Sequence, residues 1–359
     1  MPKTPEIRVP ATAFQDAFRG VAVTIERKNI LPILSCVRLR TTYEGQLELT
    51  GMSSAGQITD LVNLLDDSAG DIDICIPAEK LAPIALSTHD SITIKPKEAG
   101  RVIVSTDRSR ATLPSLDGAD FPTMEVAEQI VAEFDSPGLG KLIESVAFVA
   151  DERDIRDYCQ GVWMESDGQS VQVVATDVKM MAVNQLTIAV PQFGFMLREK
   201  SAGLIAELDP ERILVTDDAI IAERGSARLV VKKALHKFPD WRRVLPELNN
   251  SVTFRAEELR NAIGMHRVYD HKLGAVQFVY DDGYLARIKD TEHEADFELS
   301  AIGDDIDTSL AHAFKGDQLA KMLAHIVSEN VTIFWNGKKP VGFLMQEGTW
   351  RGIVSCLNI

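Results

Sequence analysis

Residues able to do chemistry are few in this chain, and they are scattered. Four cysteines, Cys36, Cys75, Cys159 and Cys356, stand far apart with no C-x-x-C pair. That spacing supplies neither a zinc site nor a paired redox centre and fits buried thiols in a reducing cytoplasm. The nearest approach to a catalytic group is His266, Asp270 and His271. A five-residue spacing on a helix turns the two imidazoles to different faces, so joint metal binding is not expected. Neither a phosphate-binding glycine loop, a Ser-His-Asp order nor a paired-carboxylate motif presents itself. The expectation is a protein that is not an enzyme, with no metal and no cofactor.

What remains is recognition. Residues 237–246 read Lys-Phe-Pro-Asp-Trp-Arg-Arg-Val-Leu-Pro. Two prolines bracket an aromatic, an acid and two adjacent arginines. Pro239 fixes its own φ and pushes Phe238 toward an extended conformation, which predicts a fixed connector in place of a helix or central strand. A weaker copy, Ala-Asp-Phe-Pro-Thr-Met, occupies 119–124. The two Phe-Pro pairs are separated by about one domain length, roughly 120 residues.

The elements around these connectors repeat as well. Apolar residues at helical spacing predict helices over 10–28, 77–90, from 136 onward, 196–208, 255–266 and 315–328. Phe14, Phe18, Val21 and Ile25 form the first face, and Leu319, Met322, Leu323 and Ile326 the last. Ser136 stands where an N-cap is expected. Alternating strand-like runs separated by turn residues follow each helix. Helix then strands, six times over, predicts an α+β fold of three repeated domains, each two helix-plus-antiparallel-strand half-modules. The boundaries fall at 1–123, 124–248 and 249–359.

With 359 residues, 45 % of them apolar, packed cores are affordable and disorder is not indicated. No leader and no run long enough to span a bilayer is visible, so a cytoplasmic protein without a membrane partner is expected. Net charge is −15, which opposes tight nonspecific binding to nucleic acid. Its distribution is uneven. The helical segments carry as many basic as acidic residues, so the whole excess lies in strands and loops. Neutral helices on a shared surface would suit loose, sliding contact with a polyanion.

Four stretches together resemble the bacterial DNA sliding clamp, the β subunit of the replicative DNA polymerase. They are Asn-Ile-Leu-Pro-Ile-Leu at 29–34, 108–122 ending in Ala-Asp-Phe-Pro, Ala-Thr-Asp at 175–177 through Ala182-Val183, and the 237–246 connector. The resemblance implies three similar domains per chain and a homodimeric ring threaded by double-stranded DNA. It implies tethering of the DNA polymerase catalytic subunit at high effective concentration, opening by an ATP-dependent clamp loader, and docking of other clamp-binding-motif proteins. By position, the partner-peptide pocket would include Cys159, Thr176, Val178, Lys179, Met180, Met181, Pro239, Arg243, Val244, Ser355, Leu357 and Asn358. Lys28, Arg153, Tyr158, Arg198 and Lys200 would face DNA, and Ala111 and Leu113 would lie at the dimer interface.

The chain departs from the family pattern in places. Val178-Lys179-Met180-Met181 stands where the family commonly has Gly-His-Arg-Leu, and the end reads Ser-Cys-Leu-Asn-Ile. Valine brings a branched side chain where the backbone needs special torsions, and loss of the arginine removes a fork of donors. Ala111 replaces a large apolar residue at the ring contact. The alternative is a divergent clamp-fold protein that binds replication partners without encircling DNA.

Overall fold

The computed structural model describes all residues except 1–4, 27–29, 66, 67, 69, 88, 89, 246–248, 270–273, 290, 291, 337–341, 358 and 359. The predicted sites Lys28 and Asn358, and Asp270 and His271 of the titratable group, lie outside the described residues. The fold is α+β, with short helices between long antiparallel strands. Contacts divide the chain into two units, one of residues 1–141 and 200–234, the other of 142–199 and 235–359.

Among the described residues, each unit holds one nine-stranded and one four-stranded antiparallel sheet. In the first unit, strands from 130–135 and 212–232 continue into strands from 36–63, 73–77 and 116–117. The junction is Arg228–Val230 paired with Gln57–Thr59. In the second unit the junction is Met180–Val183 against Arg351–Val354. A Phe-Pro connector accompanies each junction. Phe121 is buried with Cys36 and Cys75, while Met124 and Val126 pack against Leu214, Ala219, Ile221 and Val230. The first connector is thus fastened on both sides of its junction.

Helix positions follow the sequence period, but the helices are shorter than it predicts. The first runs Ala11–Ala22, the last Gly316–Leu323. Phe14, Phe18 and Val21 bury the expected face. Ser136 is not an N-cap: its hydroxyl donates to the Pro210 carbonyl at 3.0 Å. Residues 196–198 are not helix but the end of strand Phe193–Arg198, with helix Glu199–Leu208 beginning after it. Pairing with Gly161–Ser166 wins there. Glycine at 161 allows the close approach, since a Cβ would lie 1.9 Å from the Leu197 carbonyl oxygen. Short strands lead directly into other helices too, among them Ile7–Pro10, Asn250–Arg255 and Ala313–Lys315. The half-module is therefore strand, helix, strands.

Candidate functional site: an apolar groove in the second unit

The second connector builds a groove. Pro239 has no N–H to place in a ladder, and past Asp240 the chain forms a single 3₁₀ turn, Trp241–Val244. Asp240 holds that turn, its carboxylate accepting from Arg243 Nε at 3.0 Å. Trp241 is 6 % exposed and drives into a cluster with Val174, Met181, Val183, Leu344 and Ile353. Phe238 stacks on Trp163, centroids 5.7 Å apart and planes 17° from parallel. The connector is thereby nailed to the sheet through aromatic burial, which carries more energy than its hydrogen bonds.

Beneath this apolar layer sits one carboxylate. Glu165 accepts from Trp163 Nε1 at 2.9 Å and Trp241 Nε1 at 3.0 Å, and pairs with Arg242 at 2.7 Å. Arg242 also covers the Trp241 ring at 4.4 Å and donates to Gln172. Both indoles keep their donors satisfied while presenting apolar faces.

The facing wall is the turn 176–180. Thr176 Oγ1 donates to the Met180 carbonyl at 2.7 Å and accepts from Val178 N at 3.0 Å, while the Asp177 carboxylate accepts from Lys179 N and Met180 N. These bonds force Val178 to φ +74°, a region costly for a β-branched residue. Across the junction Met181 pairs with Ile353, and Ser355 N donates to the Lys179 carbonyl.

The result is a cavity of about 520 Å³ with Phe238, Trp241, Leu245, Met180, Met181 and Ile353 among its apolar walls. Exposed Val178 and Val244 stand at its rim, with Lys179 and Arg243 as the nearby cations. Of the residues expected in a partner pocket, Thr176, Val178, Lys179, Met180, Met181, Pro239, Arg243, Val244 and Ser355 line it. Cys159 does not; it is fully buried, and burial pushes its thiol up to about 11. Leu357 lies outside the lining and bridges to Ala313. The connector residues Phe238, Trp241 and Leu245 carry much of the wall but were read only as a motif. Ile353, Asn336 and Gly342 gave no sequence signal, because only strand register brings them there.

Tyr158, expected to face DNA, lines this groove, its ring edge-on to Phe238 at 6.3 Å. Arg153, in a turn, and Arg198, at the end of strand Phe193–Arg198, are exposed in the second unit, and beside them Glu152 N donates to the Glu199 carboxylate at 3.2 Å. Three residues past Arg153, Arg156 pairs bidentately with Asp154, holding that carboxyl at about 2. Lys200 is exposed in the first unit. Ala111 and Leu113 lie on the edge strand Arg110–Pro114. Leu113 is only 9 % exposed and points into its own core.

Nine-stranded sheets continued past a Phe-Pro connector, with an aromatic-walled groove beside the second, define a repeated α+β architecture. The chain belongs to the beta sliding clamp family. Residues 6–125 match the N-terminal domain of DNA polymerase III beta subunit. The beta sliding clamp of Pseudomonas aeruginosa is 33 % identical over 281 residues, 74 % of this chain and 75 % of that protein. That of Pseudomonas putida is 27 % identical over 340 residues, 91 % of this chain and 92 % of the relative. A crystal structure of the Pseudomonas aeruginosa clamp bound to griselimycin superposes with TM-score 0.88 at 25 % identity, covering 99 % of this chain and all of that one. A Helicobacter pylori beta clamp bound to a DNA ligase peptide, 18 % identical, gives TM-score 0.85 over 99 % of this chain and all of that one. Among the described residues, no helix is long and apolar enough to cross a membrane.

Proposed function

We propose that this sliding clamp closes with a second copy, head to tail, into a ring around duplex DNA. Its groove seats short peptides of the DNA polymerase catalytic subunit, the ATP-dependent loader that opens the ring, and other replication and repair proteins. The work is mechanical and cytoplasmic: tethering raises the local concentration of polymerase at its template, and no bond is made or broken. The three domains of this reading are 1–123, 124–248 and 249–359, with both boundaries at or beside the connectors.

The observation that carries the reading is the groove. Its volume and apolar walls suit a few inserted leucine or phenylalanine side chains. Exposed valines beside it would be covered on binding. Support for the ring comes from sheet edges. Strand Arg110–Pro114 ends one four-stranded sheet and strand Glu294–Leu299 ends the other. Arg110 is exposed on the first edge, and Glu294, Asp296 and Glu298 on the second. Pairing of these edges between copies would be antiparallel strand addition with matching charge.

Light scattering behind a sizing column tests the ring. A species of twice the 39.6 kDa chain mass, retained on circular DNA and lost from linear DNA, is expected. A monomer at every concentration overturns the ring and leaves a partner-binding protein that does not encircle DNA.

A further inference from the structure

The junction of the first unit carries a groove of different chemistry. Register places Arg38 opposite Thr50, Thr50 opposite Thr59, and Thr59 opposite Arg228. Four strands thus contribute one row across a single sheet face: guanidinium, hydroxyl, hydroxyl, guanidinium. A second row beside it sets Arg40 opposite Glu48. Both rows line one cavity of about 320 Å³, bordered by Thr123 of the connector and Ser226. That volume is at the small end of ligand pockets, which run from about 300 Å³.

The row has depth. Arg38 and Thr50 are 9 % and 3 % exposed, whereas Arg40, Arg228 and Ser226 stand at the rim. Arg38 is held flat by Asp73, which accepts from Nε at 2.8 Å and Nη2 at 2.7 Å. The Thr50 and Thr59 hydroxyls lie 3.3 Å apart. Two hydroxyls bonded to each other use one of their two protons, so the other is available to an acceptor in the groove. A preset donor row between two guanidinium groups fits a carboxylate.

We propose that this row is a second docking site, separate from the apolar groove, for acidic side chains of a protein partner. Nucleic acid fits it less well. Glu48 lines the cavity, Asp73 pairs with Arg38 and Glu223 lies 3.8 Å from Arg228. A run of consecutive phosphates would meet those carboxylates, whereas one or two carboxylates reach the donors between them.

The test uses the full chain and a fluorescein-labelled acetyl-Ser-Glu-Glu-Ser-amide, followed by fluorescence anisotropy at low salt. Saturable binding is expected, weakened about tenfold or more by Thr59→Val and by Arg228→Gln, as loss of a charge-assisted contact implies. Val244→Ala, in the apolar groove, should leave it unchanged. Melting curves establish that the variants are folded. Absence of saturable binding overturns the site, as does equal binding of the glutamine version of the peptide or retained affinity in both row variants. If a short DNA duplex binds the wild type and loses affinity in the same variants while the peptide does not, the row reads phosphates and the protein-partner assignment is wrong.

Discussion

The indole nitrogen of Trp241 donates to Glu165 at 3.0 Å, so the connector and the sheet share one carboxylate beneath the groove. Glu165→Ala removes the acceptor of two indoles and one guanidinium together. Stranding such donors costs roughly 1–3 kcal/mol. Urea unfolding should show a loss of that order. A groove-binding peptide should dissociate faster from the variant, because the wall it touches is no longer fixed.

Val178 sits at φ +74° in a turn closed by Thr176 and Asp177. Glycine relieves the Cβ clash, worth about 1–2 kcal/mol, and gives back part of that through unfolded-chain entropy. Val178→Gly should raise stability by about 0.5–1 kcal/mol. A denaturant midpoint that falls would mean the valine side chain packs usefully at the groove rim.

The acid limb of stability should run partly through Asp218. The Lys232 ammonium first, and then the Ala127 N–H, hold its carboxyl at about 2, against an ordinary value near 3.9. A folded value below the unfolded one gives stability that is complete above about pH 5 and is lost as pH falls toward about 2. Asp218→Asn should flatten that fall. It should also loosen the first connector, since Ala127 N and Lys232 both bond to this carboxylate. Melting temperatures across the acid range would show it, and an unchanged slope would count against the contact.

Burial raises the cysteines well out of the reactive range: Cys36, Cys159 and Cys356 to about 11, Cys75 to about 12. Thiolate is the reactive form, so iodoacetamide at pH 8 should label the native protein very slowly and all four sites in denaturant. Mass spectrometry with time separates the two, and prompt native labelling of Cys75 would reveal opening of the first connector.

The chain itself announced its repeats, since six apolar helical faces and two Phe-Pro connectors are local signals. Ends of helices were less legible. Leu197 satisfies a helical stripe and a buried strand alike, and only the Gly161 neighbour decides it. The groove was partly legible because its turn and connector are contiguous runs. Ile353 and Gly342 reach it by register across strands far apart in sequence, and the Arg38–Thr50–Thr59–Arg228 row draws on four strands that no local pattern links. Side-chain direction also escaped the sequence: Leu113 fills its own core, and Tyr158 turns to the groove.

Strand Trp350–Ser355 supplies Ile353 and Ser355 to the groove and lies C-terminal to the rest of its lining. Ribosomes build it after every other wall is made. A chain stopped short of Trp350 therefore lacks the Ile353 and Ser355 walls of the groove.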